Sequence, residues 1–139
     1  MRGGWRAKAG MAAFAVAAYV AAAAYFHASY VDPRPKGRIV VQLLPPFQHE
    51  AGHAFSGQGR PGEYAAVTPF ADEPSEEGPS RTAIYEDGRM LGGGHSTFRD
   101  IRDLGQGRFL YLKGRPVYFS STDNSDPNTN GRKYWIAVP

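Results

Sequence analysis

The chain has 139 residues and no cysteine, and its 16 Lys plus Arg against 13 Asp plus Glu give a formal charge of +3. Without cysteine there is no disulfide, no cysteine-ligated zinc or iron–sulfur centre, no thiol nucleophile and no covalently attached haem. From Asp32 onward thirteen cations balance thirteen carboxylates, so the excess sits on Arg2, Arg6 and Lys8 and is no sign of a nucleic-acid partner.

Residues 1–8 form a basic flank, and residues 9–31 form an apolar run without Asp, Glu, Lys or Arg. At 1.5 Å per residue a helix through that run just crosses a hydrocarbon core of about 30 Å. A cleaved secretory signal shares the charged flank, and Ala22 and Ala24 would suit its peptidase. The run is longer than the usual h-region of about 7–15 residues, so it reads as a retained transmembrane anchor. Alanine gains little from lipid, whereas Ala9, Gly10, Ala13, Ala17 and Ala21 at small-residue spacing let a second helix approach closely. Inflation of alanine by GC-rich coding is the plain alternative. Trp5 at one end and Tyr25, Phe26 and Tyr30 at the other suit the two interfacial belts. The basic flank favours a cytoplasmic N-terminus and a periplasmic remainder, although Arg34, Lys36 and Arg38 follow the run.

Residues 32–37, DPRPKG, read as a stiff Pro-rich tether, and residues 38–139 as one β-domain. Strands are expected at 38–44, ending at Pro45-Pro46, and at 63–68 beyond a Gly/Pro loop over 56–62. The acidic stretch 71–80 reads as a solvated loop without core residues. A hairpin over 81–91 turns at Asp87-Gly88. Residues 96–104 carry Phe98, Ile101 and Leu104 at helical spacing with Gly105 behind them, in competition with a strand. The clearest strands are 108–113, 116–120 and 133–138. This pattern predicts a mainly β fold: one N-terminal transmembrane helix followed by a small antiparallel β-sandwich-like domain, a partial barrel being the variant.

Three constellations invite chemistry. His49-Glu50-Ala51-Gly52-His53 spells HExxH, whose two histidines bind zinc only when a helix puts them on one face. Pro45, Pro46 and Gly52 oppose that helix, so the expectation is a strand or loop with exposed histidines, and His95 would have to supply a third ligand. Asp126-Pro127-Asn128-Thr129-Asn130-Gly131 matches the first half of a calcium loop, with Asp123 nearby. The acid at the twelfth position is missing, which favours a loop ordered by its own Asx turns. Gly92-Gly93-Gly94 lacks the Lys-Ser/Thr ending of a phosphate loop. Tyr111, Tyr118 and Trp135 are candidates to stack on a sugar, although strand spacing favours the core.

Residues 116–134, PVYFSSTDNSDPNTNGRKY, resemble a small domain of bacterial inner-membrane proteins, including some fused to membrane-bound glycosyltransferases. The shared stretch has the form FSxxDNSDPxTNGRxY, and residues 52–54, 85–89 and 101–108 fit the same pattern. The resemblance covers about two-thirds of the chain. It implies a sandwich-like domain and no catalytic residue. The expected role is a non-catalytic accessory subunit without cofactor, whose partners are the membrane and the integral membrane subunits of a larger complex, respiratory or photosynthetic. The alternative is a membrane-tethered carbohydrate-binding module of envelope polysaccharide synthesis.

Overall fold

The computed structural model describes the backbone of residues 3–30 and 32–139 and the side chains of residues 4, 8–30 and 32–139. Val31 and the side chain of Trp5 lie outside the described residues. The chain divides into two compact units, Met1–Val31 and Asp32–Pro139.

The first unit is helix α1, Gly3–Ser29. Alanine carries the highest helix propensity, and the next proline is Pro33, behind a residue that its ring disfavours from the helical region. Lys8–Ser29, 22 residues, is long and apolar enough to cross a membrane, a test that signal sequences also pass. Its apolar side chains surround the whole circumference, with Phe14 77% and Tyr19 75% exposed.

The second unit holds β1 (Ile39–Ala51), β2 (Ala54–Gln58), α2 (Pro61–Tyr64), a 3₁₀ turn (Thr68–Phe70), β3 (Ala83–Glu86), β4 (Arg89–Met90), α3 (Phe98–Asp103), β5 (Phe109–Tyr111), β6 (Val117–Phe119) and β7 (Tyr134–Val138). All seven strands form one antiparallel sheet in the order β4-β3-β7-β1-β2-β6-β5. The expected mainly β, antiparallel domain thus takes the form of a single curled sheet. The cause is β1, whose residues 39–43 pair with β7 while residues from Leu44 onward pair with β2. One bent strand thus belongs to both halves. The two edges also meet. Gly93, just after β4, lies beside Arg108, and the Phe109 amide donates to the Gly93 carbonyl at 2.9 Å.

The curled interior is filled by alternate residues, among them Val41, Leu43, Ile84, Phe109, Tyr111, Val117, Phe119, Tyr134 and Ile136. Beta1 does not end at Pro45-Pro46, as the sequence suggests, but continues to Ala51. The prolines fall where the register with β2 shifts between Leu44 and Gln48, so no ladder amide is required of them. Residues 56–58 belong to β2 rather than to a loop. At Gly57 a Cβ would stand 2.6 Å from the Phe47 ring, so the glycine serves packing, not chain reversal.

The strand expected at 63–68 is instead helical. Pro61 and Pro69 stand in the opening positions of two short turns, where their missing amide costs nothing, and Val67 is fully buried. The acidic stretch differs too, because Ala71 and Asp72 are buried and Asp72 bridges to Leu112 beside β5. Residues 98–103 settle on helix: the Thr97 hydroxyl caps Asp100 N at 3.1 Å and Ile101 is buried. The hairpin turns at Asp87-Gly88 as its sequence requires. Segment 32–37 groups with the second unit, and Pro35 is buried.

Candidate functional site

The segment between β6 and β7 carries the densest polar chemistry in the second unit. Phe119 and Tyr134 stand at its two ends, on strands that are not neighbours, yet their ring centroids are 4.9 Å apart across the curled interior. Phe47 lies edge-on to both, at 5.2 Å from Phe119 and 5.6 Å from Tyr134. The loop 120–133 therefore closes over an aromatic trio.

Its side chains are spent on that closure. Asn128 behaves as one residue of an extra strand: its Oδ1 accepts from Phe47 N at 2.7 Å and its Nδ2 donates to Phe47 O at 2.9 Å. Asp126 Oδ1 accepts from Asn128 N at 2.8 Å, and Asn130 Oδ1 accepts from Arg132 N at 3.0 Å. Asn130 Nδ2 donates to the Ser125 hydroxyl and to the Tyr134 hydroxyl. Asn124 accepts from Gln106 N at 2.6 Å and donates to the Leu104 carbonyl, which ties the loop to the end of α3. Asp126, Asn128 and Asn130, the candidate calcium ligands, thus each have a side-chain oxygen that accepts a protein hydrogen bond.

At the centre is Glu86 at the end of β3, 6% exposed. It accepts from the Tyr134 hydroxyl at 2.9 Å, from Arg132 at 3.2 Å, from the Thr122 amide at 3.3 Å and from the Thr122 hydroxyl. Arg132 also forks onto Asp123 at 2.6 and 2.9 Å. Burial raises the Tyr134 phenol above its usual range, with the Glu86 carboxylate adding to the rise. The Arg132 guanidinium, followed by the Ser125 hydroxyl and amide, holds the Asp123 carboxyl well below the usual carboxylate range.

A depressed carboxyl stabilises the fold above the unfolded-state value of about 3.9 and loses that contribution as pH falls through the folded value. In thermal melts of the full chain in uncharged detergent, Asp123→Asn should therefore flatten the decline below about pH 4 relative to wild type. An unchanged acid slope would assign the decline to other carboxylates.

HExxH falls on a hairpin. His49, Glu50 and Ala51 end β1, Gly52 turns the chain at φ +54°, and β2 begins after His53. His49 Nε2 meets the Gly52 carbonyl at 2.9 Å, and Glu50 accepts from the Ser56 hydroxyl at 2.6 Å. His95 is elsewhere, its Nδ1 3.2 Å from the buried Asp72. Among the described residues no three His, Asp or Glu side chains gather as a metal site.

Of the aromatic candidates, Tyr111 is buried in the core. Tyr118 lines an outer-face groove of about 320 Å³ with Phe98, Leu110 and Leu112, and Phe98 stacks edge-on to it at 5.5 Å. Trp135 faces outward from β7 opposite Gln42 of β1. It lines a groove of about 410 Å³ with Arg34, Gln42, Leu44, Arg60 and Glu63. Its buried indole N–H has no hydrogen-bond partner among the described residues. Sequence reasoning passed over Glu86 and this groove, because the residues converge only through the sheet. The signal for Glu86 was an acidic residue in an otherwise apolar strand.

On α1, Ala9, Gly10, Ala13, Ala17, Ala21, Tyr25 and Phe26 are exposed, as is Tyr30 just beyond it. Comparison of the chain with protein-family models, curated proteins and solved structures finds no match.

Proposed function

We propose that the chain is a non-catalytic accessory subunit of a bacterial inner-membrane assembly, respiratory or photosynthetic. Alpha1 packs among the helices of that assembly, the N-terminus is cytoplasmic, and the β unit docks on the extracytoplasmic face. The observation that carries this reading is α1 itself: a span of 22 residues long and apolar enough to cross a membrane, with small side chains on the expected face. Such a helix gains more from a close-packed neighbour than from lipid. The inward commitment of the polar loop supports a scaffold role for the second unit.

Extraction in mild detergent followed by native mass measurement tests the proposal. The chain should emerge bound to further membrane subunits, and Ala13→Leu/Ala17→Leu should release it. A chain that runs alone as a monomer overturns the reading. A membrane-tethered carbohydrate-binding module is the alternative, supported by Trp135 in its polar groove. Tyr134, buried in the core, is not available to stack on a sugar.

A further inference from the structure

We propose that the groove beside Trp135 binds the phosphate of an anionic phospholipid headgroup, giving the chain a membrane contact additional to α1. The proposal rests on α1 being the membrane anchor.

Reach is the first argument. Pro35 is buried and segment 32–37 belongs to the β unit, so Arg34 is a fixed part of that unit. Only four residues lie between it and Ser29, the last helical residue, and the five steps of an extended chain cover at most about 3.6 Å each, or about 18 Å. Headgroup layers add roughly 5–8 Å to each side of the hydrocarbon core. A connection this short allows Arg34 to meet the headgroup layer.

Charge is the second. Arg34 is exposed and has no carboxylate partner among the described residues, and its backbone amide donates to Asp32 at 2.9 Å. Arg60 faces Glu63 at 3.7 Å with both side chains largely in water, a pairing too long and too exposed to neutralise it. Lys36 in the same segment and Arg38 just after it are exposed, with Arg38 over the Phe70 ring. Guanidinium groups grip phosphate oxygens in a fork, and exposed cations are drawn to an anionic lipid surface.

The third is the indole of Trp135. Its ring forms an apolar wall of the groove that Arg34 and Arg60 also line. Tryptophan is also the residue that combines apolar area with one polar contact at headgroup depth. A groove of about 410 Å³ accommodates a phosphoglycerol group.

The test uses the full chain carrying Trp5→Phe, which leaves Trp135 as its one tryptophan, held in an uncharged amphipol so that α1 is covered. Short-chain phosphatidylglycerol, phosphatidylcholine, inorganic phosphate and a neutral envelope oligosaccharide are titrated while Trp135 emission is followed. Phosphatidylglycerol should bind at least about tenfold more tightly than phosphatidylcholine. Arg34→Gln/Arg60→Gln should abolish that preference with near-ultraviolet dichroism unchanged, Arg34→Lys/Arg60→Lys should keep part of it, and added salt should weaken it. Equal binding of the two lipids overturns the proposal, as does a preference that survives the double Gln variant. Inorganic phosphate binding as tightly as the lipid makes this a free-anion site, and saturation by the oligosaccharide makes it a glycan site; both overturn it. Flotation with phosphatidylcholine vesicles at high pH reads the anchor separately. A chain that fails to float but prefers phosphatidylglycerol loses the anchor and keeps the groove.

Discussion

Phe119→Ala should destabilise the β unit by about 3–5 kcal/mol, the cost of removing a buried aromatic and leaving part of its volume empty. Phe119 has no exposed surface and contacts both other rings of the trio. Its neighbours cannot collapse inward. Phe47 is held by both its amide and its carbonyl on Asn128, and Tyr134 is held through its hydroxyl by Glu86 and Asn130. Against a typical domain stability of 5–15 kcal/mol, the melting temperature of the full chain in mild detergent should fall by more than about 10 °C. The helical signal of α1 should persist through that transition, because α1 belongs to the other unit. A fall of only a degree or two would mean that the polar loop holds the curl closed without its aromatic filling.

Glu86→Ala should cost nearly as much, about 2–4 kcal/mol, by a different route. The substitution leaves the Tyr134 hydroxyl and the Thr122 amide without their common acceptor and strips Arg132 of one of its two carboxylates. Arg132 keeps Asp123, which places the cost below that of an orphaned buried charge. Glu86→Gln preserves an acceptor in the same place and should lose clearly less. Parallel melts of the two variants separate hydrogen bonding from packing: equal losses would show that the charge on Glu86, not its acceptor role, holds the loop. Because Glu86 lies far from the groove-lining Arg34 and Arg60 in sequence and is not part of that groove, lipid preference should survive in folded Glu86→Gln.

The strands that were legible in the sequence are those whose order depends on alternation alone. Residues 109–111, 117–119 and 134–138 place every second side chain in the interior, and no glycine or proline interrupts them. The HExxH segment was legible for a local reason as well, since Pro45, Pro46 and Gly52 forbid the helix that zinc chemistry needs. Beta2 was hidden because Gly57 reads as a turn until the Phe47 ring is seen resting on it. Segment 61–70 misled because its apolar residues fit either period over so short a span, and the prolines that set its helical turns also bound a strand.

Within the polar loop, the short-range bonds were readable and the long-range ones were not. Asp123 to Ser125 and Asp126 to Asn128 are Asx pairings two residues apart, set by side-chain length. The partners on Phe47, Glu86 and Leu104 come from three other parts of the chain. By itself, then, the sequence determined a long apolar helix, a mainly β remainder and a self-bonding loop, because periodicity, proline and Asx geometry act over a few residues. Tertiary structure alone decided that the strands curl into one sheet, that the loop clasps Phe47 and Glu86, and that Arg34, Arg60 and Trp135 share a groove. The physical reason is that a bend in β1 sets which distant residues become neighbours, and a strand's periodicity carries no record of what lies across the fold from it.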